Sequence, residues 1–188
     1  MWPWEHIAVG YIVFSLGIRI LQRRLPRNSE CFAVVLGSLF PDLIDKPLGW
    51  LFQVLTGVSL AHSVFFAVPF SLTAVWIAHR FGAAAAGTAF TTGYLFHLLG
   101  DALFNTISKG QEPAYRVFLW PVAPMETNPP GNFLYSVQYY FENYRALLAD
   151  PNNVLFLVFE LTLLMTALSL WVADGRPGLV FGSRMSVT

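Results

Sequence analysis

Five apolar segments recur along the chain, at about residues 6–21, 31–40, 61–78, 81–104 and 154–173. All but the second come close to the roughly 20 residues that cross a hydrocarbon core as a helix. The second stops at Pro41-Asp42, and a further apolar stretch at 48–55 reads either as its second half or as an interfacial turn. Proline lacks the N–H that continues a helix, so Pro41 is expected to limit this one and to aim Asp42 and Asp45 off its end. Water could not solvate the surface such segments leave. Charged residues are 12% of the 188, against about 25% in a soluble domain, and the mean hydropathy is +0.54. The expected fold is all-α: a polytopic membrane helix bundle of about five transmembrane helices, forming one integral membrane domain over residues 1–188.

Arginines set the expected orientation. Arg23, Arg24 and Arg27 crowd the first connection, with Arg19 just inside the preceding helix end, and positively charged loops stay on the cytoplasmic side. This multi-pass chain in the cell membrane is therefore expected to have its N-terminus outside and its C-terminus, with Arg176 and Arg184, in the cytoplasm. His79 and Arg80 fall inside as interfacial anchors. Met1-Trp2-Pro3-Trp4-Glu5 lacks the positive start of a cleavable signal, so the first helix is expected to remain in the mature protein.

The stretch 105–153 falls outside, with Lys109, Arg116 and Arg145 set against Glu112, Glu126, Glu142 and Asp150. Within it Phe133, Val137, Tyr140, Phe141, Tyr144, Leu147 and Leu148 recur at helical spacing. They predict an amphipathic helix lying on the membrane or, in a sharper reading, a lid guiding lipid to a site.

Eleven Lys and Arg balance eleven Asp and Glu, so no basic excess attracts nucleic acid and none is expected as a partner. The expected partner is the lipid bilayer. Cys31 stands alone, which excludes a disulfide framework and a Cys-based zinc site. Any metal must be held by His, Asp or Glu.

Ionisable groups are scarce enough that their level in this topology is informative. His6 lies at the outer start of the first segment, Asp42 and Asp45 at the outer end of the second, and His62 at the outer start of the third. His97 and Asp101 lie near the outer end of the fourth. The sides were assigned from arginines, yet all six groups come to one face. His97 and Asp101 are four apart, which on a helix puts them on one side within about 6 Å at Cβ. Such a pair is either a two-ligand edge of a metal site or a structural hydrogen bond. Asp42 and Asp45 read otherwise as a capped turn, and His62 as an interfacial histidine bonded to a carbonyl. Together they make an N/O donor set for zinc or another first-row divalent ion. Asp42, His62, His97 and Asp101 would fill one tetrahedral ion. Asp101 would bridge to a second ion held by His6 and water, an arrangement that activates water and steadies a phosphoryl oxygen.

These stretches resemble the YdjM-type family of membrane-bound metal-dependent hydrolases. The resemblance is carried by Glu5-His6-Ile7-Ala8-Val9-Gly10, by Leu36-Gly37-Ser38-Leu39-Phe40-Pro41-Asp42-Leu43-Ile44-Asp45 and by Leu60-Ala61-His62-Ser63. Gly93-Tyr94-Leu95-Phe96-His97-Leu98-Leu99-Gly100-Asp101 and Phe118-Leu119-Trp120-Pro121 follow in the family's order. That family is distantly similar to the zinc-dependent phospholipase C and single-strand nuclease superfamily. The resemblance implies metal roles for Asp42, His62, His97 and Asp101, with His6 on a neighbouring ion. One departure is that many relatives carry a His-Arg pair where this chain reads Thr56-Gly57-Val58-Ser59-Leu60-Ala61. Another is that the phospholipase relatives hold a third zinc through additional His and Glu residues, whereas no histidine follows His97 here.

The function expected is that of an integral membrane metal-dependent hydrolase. It would act through metal-activated water on a phosphoester or related ester of a lipid or lipid-linked substrate, with one or two divalent ions, zinc first, and the site facing outside. Asp45 and Glu160 are candidates for a supporting shell around the ligands, and Lys46 reads as a phosphate contact or a snorkelling lysine. Ser63 beside His62 lacks the base and orienting acid of a triad. The alternative is a non-catalytic membrane protein with a structural or sensing metal site. A divalent-metal transporter is disfavoured by the absence of a broken internal repeat.

Overall fold

The structure, a computed structural model, describes residues 1–55, 58–109, 118–123 and 132–179, with 105–109 described by backbone alone. Glu112, Arg116, Glu126, Arg184 and the departure at Thr56-Gly57 lie outside the described residues.

Six helices form among the described residues, and no strand. Helix α1 (Pro3–Gln22) starts where Pro3 supplies a preset φ and Glu5 Oε2 accepts the Trp2 N–H at 2.6 Å. It ends at Arg23, which adopts the left-handed conformation at φ 51°. Helix α2 (Asn28–Trp50) is launched by Glu30, which accepts the Arg27 N–H at 2.8 Å and is gripped by both terminal nitrogens of Arg24 at 2.8 and 2.6 Å. Helix α3 (Val64–Arg80) begins at Ser63, whose Oγ accepts the Phe65 N–H at 3.2 Å. Helix α4 (Ala84–Lys109) follows. Helix α5 (Phe133–Ala149) is capped by Asn132, whose side chain accepts the Tyr135 N–H at 3.0 Å. A short turn at Pro151–Asn153 leads into α6 (Val154–Ala173).

One local expectation is corrected. Pro41 does not stop its helix: α2 runs through both Pro41 and Pro47. Packing compensates for the missing N–H, because Pro41 is fully buried and α2 lies against α4 along its length. Asp42 and Asp45 therefore project from the side of a continuous helix and not from its end.

Helix α4 is the hub. It packs most extensively on α2, and also on α3 and α1, while α1 joins α2 and α6. Contact between α2 and α4 is backbone on backbone. A Cβ built on Gly37 would fall 2.0 Å from the Phe90 carbonyl oxygen, and one on Gly93 would fall 2.3 Å from that of Val34. One apolar cluster gathers Tyr11, Phe14, Ile18, Cys31, Val34 and Ala89; another joins Ala67, Tyr94 and Leu98 to the rings of Phe40, Phe70 and Phe90.

The exterior is apolar. Ile20, Leu72, Trp76, Leu155 and Leu161 are each more than 60% exposed. Helix α6 is apolar all round yet largely uncovered by protein, which water would not tolerate and lipid does. Among the described residues two segments, Pro3–Gln22 and Pro151–Ala173, are both long and apolar enough to cross a membrane, with mean hydropathies of 1.3 and 2.1. The other three expected spans do not meet both conditions. Helix α3 is apolar but 17 residues long, while α2 and α4 carry the ionisable groups of the site.

Candidate metal centre

Five donors meet where α1, α2, the loop before α3 and α4 come together. His6 comes from the first turns of α1, Asp42 from α2, His62 from the loop before α3, and His97 and Asp101 from α4. Donor atoms of His62, His97 and Asp101 lie within 4.8 Å of one another, and so do those of His6, Asp42 and His97. All three histidines are buried, whereas Asp42 and Asp101 retain 12% and 18% side-chain exposure and so form the open side.

Each central ring is held from behind. His97 Nδ1 is 2.7 Å from the Ser38 carbonyl oxygen, and His62 Nδ1 is 2.8 Å from Asp45 Oδ2. Both partners can only accept, so both Nδ1 atoms carry the proton. In neutral rings the Nε2 lone pairs then face each other, and they do so at 3.2 Å. That arrangement suits a cation between them, either a proton or a metal ion.

The remaining edges fit an ion. A tetrahedral site with bonds of about 2.0–2.1 Å separates its ligand atoms by about 3.3 Å. Asp101 Oδ2 is 3.5 Å from His97 Nε2 and 3.6 Å from His62 Nε2; Asp42 Oδ1 is 3.8 Å from His62 Nε2 and 4.0 Å from His97 Nε2. Two nitrogens and two carboxylates with histidines oriented from outside suit zinc chemically.

His6 extends the cluster. Its ring stacks on that of His97, with centroids 3.7 Å apart. Its Nε2 lies 3.2 Å from Asp101 Oδ1 without hydrogen-bond alignment, and among the described residues neither ring nitrogen has a hydrogen-bond partner although the side chain is 1% exposed. An orphaned, buried imidazole is costly unless it has a ligand to donate to. Asp101 Oδ1 also accepts from the Met1 amino group at 2.7 Å.

Asp45 organises the loop that carries His62. Its buried carboxylate accepts the backbone N–H groups of Ser59 at 2.8 Å, Ala61 at 3.0 Å and His62 at 3.2 Å. From the other side, Tyr94 donates its hydroxyl to the Ala61 carbonyl at 2.6 Å. Ser63 donates to the Trp120 carbonyl at 2.6 Å and so ties the loop to the Trp120-Pro121 motif. Lys46 pairs with Asp42 Oδ2.

Glu160 stands apart from these donors. Its Oε1 accepts from Trp4 Nε1 at 2.9 Å and Tyr144 Oη at 3.4 Å, where Tyr144 meets the Trp2 and Trp4 rings edge-on. The carboxylate thus fastens α5 to α1 and α6. Two further groups escaped the sequence reading. Ser38 contributes a backbone carbonyl, which no residue type signals. Asp174 is a buried hub at the other end of α1, accepting from Tyr11 and Ser15 at 2.6 Å and from Arg19 Nε at 2.9 Å; an acid at a span end with an arginine on another helix was its only trace.

No curated protein and no solved structure matches the chain. The family model described as YdjM inner membrane protein does match, over residues 1–176, and so takes in all five donors together with Asp45 and Asp174. On that match, with its apolar exterior, the chain belongs to the YdjM inner membrane protein family.

Proposed function

We propose that the protein is an integral membrane metal-dependent hydrolase. In this reading all five apolar segments cross the bilayer, with the N-terminus and the centre outside and the C-terminus in the cytoplasm. The substrate is a phosphoester or related ester of a lipid or lipid-linked molecule. The observation that carries the reading is the facing pair of His62 and His97 Nε2 atoms at 3.2 Å, flanked by Asp42 and Asp101 on the open side. Zinc, as one ion or two, is the cofactor that best suits the donors. When bound, it supplies a Lewis acid and an activated water for ester hydrolysis.

The chain's own residues set the conditions. Asp45 and the Ser38 carbonyl hold the rings of His62 and His97 in their tautomers. His6 extends the donor set towards Asp101, so the group is larger than one tetrahedral ion needs. Helix α5, with exposed Leu134, Phe141 and Leu148, offers an apolar surface at the same end of the bundle, which favours an amphiphilic substrate.

The first test is the metal content of the detergent-purified protein and of a His97→Ala, Asp101→Ala double variant. The reading expects more than one zinc or manganese per wild-type chain, lost in a variant that stays folded, and turnover of phospholipid esters by the wild type alone. A wild type that holds no metal after supplementation overturns it. A second reading draws on the closed four-donor set of Asp42, His62, His97 and Asp101, which alone resembles a structural or sensing site. Under that reading the double variant unfolds and the wild type turns over nothing.

A further inference from the structure

One face of α2 runs outward from the centre in four-residue steps through Ser38, Asp42, Lys46 and Trp50. Along it Asp42 divides its carboxylate: Oδ1 faces His62 and His97, while Oδ2 carries the ion pair with Lys46. The Lys46 ammonium also lies 5.6 Å from the centroid of the Trp50 ring, within cation–π range. Trp50 in turn stacks on Tyr140 of α5 with centroids 5.4 Å apart. Lys46 is therefore held from two sides, yet its side chain keeps 27% exposure beside histidines that have none.

A fixed positive charge here is at odds with the centre's proposed occupant. An ammonium on the far oxygen of a ligand carboxylate draws charge from that ligand and repels a divalent ion across a few ångströms. Its position is better explained by something it attracts. Lys46 pairs with Asp42, one of the two partly exposed carboxylates of the centre, so an ester's anionic group held by the ammonium would keep its reacting bond near the donors.

We propose that Lys46 is the anion-binding residue of the site, recognising a phosphate group of the substrate at the mouth of the centre. Asp42 and the Trp50 ring, itself stacked on Tyr140, hold its ammonium in place. This deepens the hydrolase reading, on which it rests for the word substrate. A phosphate can belong to a lipid headgroup or to a small soluble molecule, and Lys46 would bind either through the same charge-assisted hydrogen bonds.

The test uses full-length wild type, Lys46→Met and Lys46→Arg in detergent, titrated with inorganic phosphate, phosphatidic acid or uncharged diacylglycerol in mixed micelles. Tryptophan fluorescence, with Trp50 against Lys46, gives the Kd, and thermal unfolding gives an independent readout. The expected result is that both phosphate probes bind the wild type, that Lys46→Met weakens them about tenfold or more, and that Lys46→Arg restores most of the loss. Tighter binding of phosphatidic acid than of inorganic phosphate assigns a lipid headgroup, and equal binding assigns a free phosphate. The proposal is overturned if the wild type binds neither, if Lys46→Met binds them equally well, or if diacylglycerol binds as tightly as phosphatidic acid. Metal content is measured on the same samples. Absence of metal from the wild type sinks the hydrolase reading while the phosphate titration still decides the role of Lys46. Metal lost from Lys46→Met alone would make the lysine part of the ion site and overturn its role here.

Discussion

Asp45 holds His62 twice, by the ring Nδ1 at 2.8 Å and by the backbone N–H at 3.2 Å, so one carboxylate fixes both the position and the tautomer of a proposed ligand. Asparagine fits the same space but turns an NH2 towards donors that need an acceptor. Asp45→Asn is expected to weaken metal binding about 10- to 100-fold, as loss of an outer-shell partner does. Competition with a chromophoric chelator measures this; an unchanged affinity would show that the loop holds His62 without Asp45.

Gly93 offers a test of the packing that precedes the chemistry. A methyl group there would meet the Val34 carbonyl oxygen at 2.3 Å and the Ser38 nitrogen at 2.7 Å, both backbone atoms that cannot rotate away. Gly93→Ala is expected to destabilise by about 3 kcal/mol, the upper end of ordinary overpacking, and to lower metal retention because α4 carries His97 away from α2. Gly17→Ala is the control: that Cβ meets nothing within 4 Å, and the change should stabilise α1 by about 0.5–1 kcal/mol. Thermal unfolding in detergent reads both, and equal behaviour of the two variants would contradict the close contact.

Asp174 collects the hydroxyls of Tyr11 and Ser15 and the guanidinium of Arg19 in a side chain that is fully buried. Removing it orphans three donors, one of them charged and a third exposed, at a cost of about 2–4 kcal/mol. Arg19 lies 13 residues along α1 from His6, or about 20 Å. Asp174→Ala should therefore lower the unfolding temperature while leaving metal per folded chain unchanged. Loss of metal at temperatures where the variant remains folded would tie this hub to the centre.

The orientation can be read in intact cells. A Ser108→Cys variant, at the end of α4 nearest the centre, is expected to react with a membrane-impermeant maleimide added from outside. Cys31 should stay silent, because it is buried between α1 and α2. Labelling only after permeabilisation would reverse the proposed sidedness.

Much of the fold was legible because membrane helices are written in long apolar runs. The first and last segments, 6–21 and 154–173, became α1 and α6 almost residue for residue, and the aromatic repeat at 133–148 became α5. Pro41 misled because a local rule about one missing N–H was outweighed by burial against α4, which no local pattern encodes. The six ionisable groups could be grouped because charge is rare in such a chain, and the topology expected from the arginines puts them towards one face. Asp42 was expected as a donor and Asp45 as its support, but which partner each one takes could not be read from spacing. Asp45 turns to His62 while Asp42 faces the centre, three residues apart on one helix, and the Ser38 carbonyl depends on how closely Gly37 and Gly93 let two backbones approach.

That approach also limits how far thermal motion can disturb the donors. Helices α2 and α4 touch at Gly37 and Gly93, only five and four residues before Asp42 and His97, about 6–8 Å along their axes. With the pivot so close, a rocking of about 5° moves a donor by only about 0.6 Å, near the tolerance of a preorganised constellation. The same rocking about a contact at the far end of the helices would move it by about 2 Å. The glycines thus act as a short-armed hinge pin, confining looseness elsewhere in the bundle to where it does least harm to the geometry of the centre.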